Sequence, residues 1–217
     1  MDKKLMAAKE ALNFVSPGNV IGLGTGTTAN EFIKLLSKSD LCKSVMGVAT
    51  SINTENLATN LGIKIVDIDS VDKIDVTIDG ADEIDPSGNL LKGGGGALTR
   101  EKKVALSSRD YVIIVSDEKM VQKIPDHMGI PIEILPFGKK KTIESIENLK
   151  FICRLRENFI TDNGNFIVDC IPSNEIDMSV ANREIKSLNG VVETGLFLNF
   201  KKTIIISDGE EVKILKN

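Results

Sequence analysis

Tryptophan is absent from this 217-residue chain and tyrosine occurs once. With a net charge of −4 and no basic block, little remains of the stacking surface or cationic stripe that holds nucleic acid, so no such partner is expected. Histidine also occurs once, as His127 in a Pro-Asp-His-Met-Gly stretch that reads as a surface or interdomain loop. Imidazole chemistry and a Ser-His-Asp triad have no better residue to use, which leaves the chemistry to carboxylates and lysines. Cys42, Cys153 and Cys170 are odd in number and far apart; they make neither a disulfide framework nor a CxxC zinc site, and reduced, buried thiols are expected. Apolar runs such as residues 111–115 and 203–206 fall far short of the ~18 residues of a membrane span. The segment after Met-Asp-Lys-Lys carries Leu5, Ala8, Leu12 and Val15 at helical spacing and lacks the apolar core of a secretory signal. A soluble, cytoplasmic protein without a membrane partner is the expectation.

What the chain does contain is an ordinary globular mixture, 41% hydrophobic and 27% charged, with no long polar tract to remain unfolded. Its length suits one or two domains. Short β-branched runs at 20–23, 45–49, 63–66, 75–78 and 111–115 alternate with helical stretches, the pattern of a parallel sheet with crossover helices. Thr28-Ala-Asn-Glu31 has capping-box spacing ahead of Phe32, Leu35 and Leu36, which predicts a helix start directly after a glycine-rich turn. Further helices are predicted over 51–61, closed by Gly62, and over 98–107. Pro125, Pro131 and Pro136, with Gly129 and Gly138, break the rhythm and mark a possible domain crossing. From 130 to 197 the order becomes strand, helix, strand, strand, helix, strand, with an Asp162-Asn-Gly164 turn between the middle strands; this is the ferredoxin-like split unit. A final hairpin around Asp208-Gly209 returns to the first sheet.

Three segments draw attention for chemistry. Gly22-Leu-Gly-Thr-Gly-Thr-Thr28 joins a strand to a helix, so it is either a phosphate cradle of backbone N–H groups and hydroxyls or a tight connecting turn. A dinucleotide fingerprint would need glycine where Thr27 stands, and the lysine of a P-loop is missing. Asp79-Gly-Ala-Asp-Glu-Ile-Asp85 follows a buried-type strand, which sets Asp79 and Asp82 at the edge where doubly wound sheets bind ligands. A solvated acidic turn is the alternative, and the spacing fits neither an EF-hand nor a histidine-bearing metal site. Lys92-Gly-Gly-Gly-Gly-Ala-Leu-Thr-Arg-Glu101 carries four consecutive glycines, entropically costly unless the backbone must approach a ligand or turn left-handed. A flexible linker is the competing reading, although linkers seldom interrupt an alternating α/β pattern with Lys and Glu at their ends.

On these residues the chain resembles the type A ribose-5-phosphate isomerases. Gly24-Thr-Gly-Thr-Thr28, Thr50-Ser51, Asp79-Gly-Ala-Asp-Glu-Ile84, Lys92-Gly-Gly-Gly and Ala97-Leu-Thr-Arg-Glu-Lys102 carry the likeness, and Thr161-Asp-Asn-Gly-Asn165, Gly190-Val-Val and Thr194-Gly-Leu-Phe197 extend it into the second half. The resemblance implies interconversion of ribose 5-phosphate and ribulose 5-phosphate in the non-oxidative pentose phosphate pathway, with Glu101 as catalytic base and Asp79, Asp82 and Lys92 against the sugar. It places Thr25, Gly26, Thr27 and Thr28, with Gly80, Ala81, Gly93, Gly94 and Gly95, at the substrate, and Lys4 and Lys119 behind the phosphate. It further implies no metal, no organic cofactor, and a homo-oligomer, dimer or tetramer. The implied fold is α/β: a Rossmann-like, mostly parallel sheet domain (residues 1–126 and 199–217) with a smaller ferredoxin-like α+β domain (127–198) inserted before the C-terminal segment. Gly96 departs from the alanine common in the family, with little consequence expected.

Aldose–ketose isomerisation moves a weakly acidic proton between neighbouring carbons, and one carboxylate lying across a cis-enediolate can perform both transfers. Glu101 suits this, since a carboxylate in a partly closed cleft can have its pKa raised towards the working pH. Lys92 and the N–H groups of the glycine run are candidates to stabilise the developing oxyanion, and Asp79 and Asp82 to handle hydroxyl protons. The rivals are a non-catalytic sugar-phosphate sensor, which should lack a base, a nucleotide-dependent dehydrogenase, opposed by Thr27, and a CoA transferase with a glutamate nucleophile, opposed by the 79–101 pattern.

Overall fold

The computed structural model describes residues 2–216. Helix α1 (Lys3–Ala11) is followed by β1 (Val20–Leu23), α2 (Thr27–Lys38), β2 (Met46–Ala49), α3 (Ile52–Asn60), β3 (Lys64–Ile65) and β4 (Ile74–Asp79). Two short strands, β5 (Glu83–Ile84) and β6 (Leu90–Leu91), precede α4 (Leu98–Leu106) and the long β7 (Ser108–Ser116). Then come β8 (Ile130–Ile134), α5 (Lys139–Glu147), β9 (Phe151–Leu155), β10 (Phe166–Pro172), α6 (Met178–Lys186), β11 (Val191–Thr194), β12 (Leu196–Phe197), β13 (Thr203–Ser207) and β14 (Val212–Lys216).

The chain forms two compact units. The first takes the chain up to Ala81, Arg100–Lys119 and everything from Phe200; the second takes Asp82–Thr99 and Met120–Asn199. These divisions stand beside the expected ones at 126/127 and 198/199.

The first unit is built on a seven-stranded sheet of order β14-β13-β7-β4-β1-β2-β3. All neighbours run parallel except the edge pair β13–β14. The last six residues of β7 and the last four of β4 are buried, as expected of parallel strands covered on both faces. Ala29, Phe32, Ile33 and Leu36 form the buried stripe of α2 at helical spacing, and the last three pack with Ile21, Leu23, Ile78 and Ile114 of the sheet. Strand order reverses between β1 and β4, so the carboxyl ends of these two strands flank the crevice where open α/β sheets take ligands.

In the second unit the order β8-α5-β9-β10-α6-β11 makes a four-stranded antiparallel sheet, β11-β8-β10-β9, the expected ferredoxin-like arrangement. Ile130, Ile132 and Ile134 alternate along β8 and meet Val168 and Cys170 of β10 and Ile146, Ala181 and Ile185 of the two helices in one core. A further antiparallel sheet, β12-β6-β5, is also present. The single strand expected over 191–197 divides at Gly195, whose carbonyl accepts from Lys92 N–H and whose N–H donates to Pro131 O.

Two local expectations are corrected. Cys153 and Cys170 are disulfide-bonded, because β9 and β10 pair with these residues directly opposite each other, a proximity that their separation of 17 residues concealed. Cys42 alone is a free, buried thiol. Thr28 is not a cap: α2 begins at Thr27 with Gly26 at the N-cap, no side chain caps it, and Glu31 bonds Lys34 instead.

Candidate active site

At the switch point of the first unit, the turn after β1 closes onto the end of β4. Gly24 N–H donates to Ile78 O at 2.9 Å, and Asp79 Oδ1 accepts from Thr25 N–H at 3.2 Å and Gly80 N–H at 2.8 Å. Asp79 has no solvent exposure. A β carbon on Gly24 would lie 2.1 Å from Asp79 Oδ1 and 2.6 Å from its Cα, so only glycine permits this approach. Thr25 Oγ1 lies 2.8 Å from both Thr50 Oγ1 and Ser51 Oγ and 3.1 Å from Thr54 Oγ1, a hydroxyl cluster that ties the ends of β1 and β2 to the start of α3. The Thr25 side chain is therefore turned into the protein, whereas Gly26 and Thr27 are exposed at the start of α2. That helix end presents uncapped N–H groups and a favourable dipole to an anion.

Lys4 lies on α1, and Lys119 ends a short 3₁₀ turn, Asp117–Lys119, after β7. Their neighbours join these two segments: Lys3 Nζ bonds Asp117 Oδ1 at 2.6 Å, with Glu118 at 3.6 Å. The hydrogen bond to Asp117 is the main cause that raises the Lys3 pKa above the ordinary lysine value. Glu101 sits in the first turn of α4, a position that favours acidic side chains, and is 4% exposed.

In the second unit Asp82 is partly exposed and its Oδ2 accepts from Gly94 N–H at 2.8 Å. Lys92, just past β6, is buried, with its ammonium 5.5 Å from the centre of the Phe197 ring. The glycine run is a turn closed by Gly96 N–H to Gly93 O at 2.9 Å. Its N–H groups are thus not all at the disposal of a ligand, because those of Gly94 and Gly96 are engaged within the unit.

Sequence reasoning overlooked two charged residues beside this run. Arg156 donates from Nη1 to Gly93 O at 3.0 Å and Gly94 O at 3.1 Å while its Nε and Nη2 make a fork with Asp169 at 2.7 Å each. Glu133, fully buried in β8, accepts from Thr161 Oγ1, Asn163 Nδ2, Asn165 Nδ2 and Thr99 Oγ1. The Thr161–Asn165 turn of the resemblance is thereby explained as the sheath of a buried carboxylate. A charge inside the apolar run Ile130-Pro-Ile-Glu-Ile was the signal that could have marked it. Among the described residues, no group of three or more histidine, cysteine or acidic side chains is arranged to hold a metal ion.

A doubly wound sheet with a glycine turn, an uncapped helix and a buried aspartate at its switch point defines an α/β protein for small anionic ligands. The family model of ribose 5-phosphate isomerase A (phosphoriboisomerase A) matches residues 46–211. A ribose-5-phosphate isomerase A of Bacillus mycoides is 43% identical over 98% of this chain and 99% of its own, and one of Pyrococcus horikoshii 41% identical over 99% and 98%. A solved structure of D-ribose-5-phosphate isomerase in complex with phospho-erythronic acid superposes with a TM-score of 0.94 at 38% identity, covering both chains completely. The enzyme of Methanocaldococcus jannaschii gives 0.93 at 34%, covering 99% of this chain and 98% of that one. The chain belongs to the ribose 5-phosphate isomerase A family.

Proposed function

We infer that the chain is an aldose–ketose isomerase that interconverts D-ribose 5-phosphate and D-ribulose 5-phosphate. The end-to-end likeness to ribose-5-phosphate isomerases at 43% identity carries this reading. The relative solved with phospho-erythronic acid adds to it, since the carboxylate of a phosphorylated aldonic acid places negative charge on two oxygens, as an enediolate does.

Glu101 is assigned as the base. In the open-chain aldose it removes the proton from C2; the pair of electrons left behind forms the C1–C2 double bond of the enediolate as the C1=O electrons move onto O1, and the same carboxylic acid returns the proton to C1 while the O2 hydroxyl gives its proton to O1 by way of Asp82 and becomes the ketone. Burial of Glu101 supports the role, because a proton held there exchanges slowly with water. Lys92 is assigned to the oxyanion, together with the N–H groups of Gly93 and Gly95. Asp82, the accessible carboxylate of the pair, is assigned to hydroxyl protons, and Asp79 to shaping the turn. Gly26, Thr27 and Thr28 take the phosphate at the start of α2, with Lys4 and Lys119 as its cations, and Thr25, Gly80 and Ala81 frame the pocket wall. Cytoplasmic location and a homo-oligomeric state, dimer or tetramer, are proposed on family likeness; no helix among the described residues is long and apolar enough to cross a membrane.

The test is conversion of ribose 5-phosphate by the purified protein, with and without EDTA, beside Glu101→Gln. Turnover that survives EDTA and falls about 1,000-fold in the variant, within the range for a lost acid–base group, is the expected result. Near-normal turnover in Glu101→Gln overturns the base assignment. Sugar-phosphate binding without any turnover in the parent protein favours a sensor.

A further inference from the structure

Arg156 is joined to Asp169 on one side and to the glycine run on the other. The fork with Asp169 has two contacts of 2.7 Å, and the arginine side chain is 17% exposed, so its guanidinium is held in one orientation. From that position it takes the carbonyls of two consecutive residues, Gly93 and Gly94, at 3.0 and 3.1 Å. In a trans peptide the C=O and the following N–H point in opposite directions. Fixing Gly93 O and Gly94 O on the guanidinium therefore turns the N–H groups of Gly94 and Gly95 away from it. The first of these reaches Asp82 Oδ2 at 2.8 Å. The second is set on the same side of the run. A cation on the carbonyls also polarises both peptides and makes their N–H groups stronger donors.

We propose that Arg156 is a positioning residue for the isomerisation: anchored by Asp169, it aims the N–H of Gly95 at the reacting oxygen and locks Asp82 in place through the N–H of Gly94. The proposal rests on the isomerase reading above. Four glycines would otherwise sample many conformations, and a donor displaced by about 1 Å from a developing oxyanion can cost on the order of 100-fold in rate. Because the guanidinium acts through the carbonyls of the run, its removal is expected to be felt in turnover more than in ground-state binding.

Arg156 lines an open groove of about 450 Å³ with Phe159 and Asp169, which gives its replacement a direct assay. In Arg156→Ala, kcat is expected to fall about 100-fold with KM within a few-fold of the parent, and millimolar guanidinium ion in the assay restores part of the loss. Affinity for phospho-erythronic acid, a probe of the charged intermediate, falls with kcat, whereas phosphate affinity does not. Arg156→Lys, a cation without the fork, recovers less than added guanidinium does. Asp169→Asn keeps the strand pairing and loosens only the anchor, so it provides the measurement if the alanine variant folds poorly, with an expected loss of about 10-fold in kcat. Parent-like kcat in folded Arg156→Ala or in Asp169→Asn overturns the proposal, as does a loss confined to KM. Absence of ribose 5-phosphate turnover in the parent protein overturns the isomerase reading instead, and the positioning role with it.

Discussion

The turn after β1 and the glycine run after β6 are both short, glycine-rich and assigned to the substrate, yet they are held by opposite charges. In the first, a buried carboxylate, Asp79, collects the N–H groups of Thr25 and Gly80. In the second, a guanidinium, Arg156, collects the carbonyls of Gly93 and Gly94. An anionic brace consumes donors, so the donors proposed for the phosphate lie farther along, at the uncapped start of α2. A cationic brace consumes acceptors and turns donors outward, as suits the oxyanion role proposed for this segment. Asp79 reaches the first turn from the neighbouring strand β4, 54 positions along the chain from Thr25. The second is assembled from residues more than sixty positions apart.

Filling the first turn is the hardest way to break this contrast. In Gly24→Ala the new methyl group meets Asp79 at 2.1 Å from Oδ1 and 2.6 Å from Cα, and rotating the aspartate side chain cannot relieve the contact with its backbone. A loss of about 3 kcal/mol in urea unfolding is expected, at the upper end for overpacking, together with loss of turnover. A variant as stable as the parent would mean that the carboxylate does not seat against the turn as described.

Thr25→Val sharpens the same side of the comparison. The hydroxyl is removed with little change of shape, leaving Thr50, Ser51 and Thr54, all buried, to satisfy one another. About 1 to 2 kcal/mol of stability should be lost, while KM for ribose 5-phosphate stays within two- to three-fold. A large rise in KM at unchanged stability would return the Thr25 hydroxyl to the substrate.

Legibility in the sequence depends on whether an element is written in consecutive residues or made by distant ones. β1, β4 and β7 are buried on both faces, so they stand out as β-branched runs, and the order of the ferredoxin-like unit is written in consecutive elements. β5 and β6 are two residues each; β6 pairs with β12 far along the chain and β5 pairs with β6, which no periodicity reveals. Asp79, Lys92 and Glu101 could be singled out because costly residue types surround them. Arg156 could not, since Glu157 and Asn158 beside it give the look of a solvated turn and its partners are distant. The misplaced capping box has a related cause: Thr28 and Glu31 have the right spacing, but Gly26, not a side chain, starts the helix.

Gly96 tests whether the second segment is braced by its cation alone. Its φ of +77° is left-handed, and a β carbon there would lie 2.2 Å from Cζ of Phe159, whose ring centre is 5.8 Å from the Arg156 guanidinium carbon. The geometry thus assigns a cost to alanine at this position in this chain. Gly96→Ala should lose about 1 to 2 kcal/mol for the left-handed backbone, plus a contribution from moving the ring. Phe159→Ala separates the two: in that background the same substitution should retain only the backbone cost, so a double-mutant cycle gives a coupling of at least about 0.5 kcal/mol. An uncoupled pair would remove the aromatic ring from the brace and leave Arg156 as the support of the run.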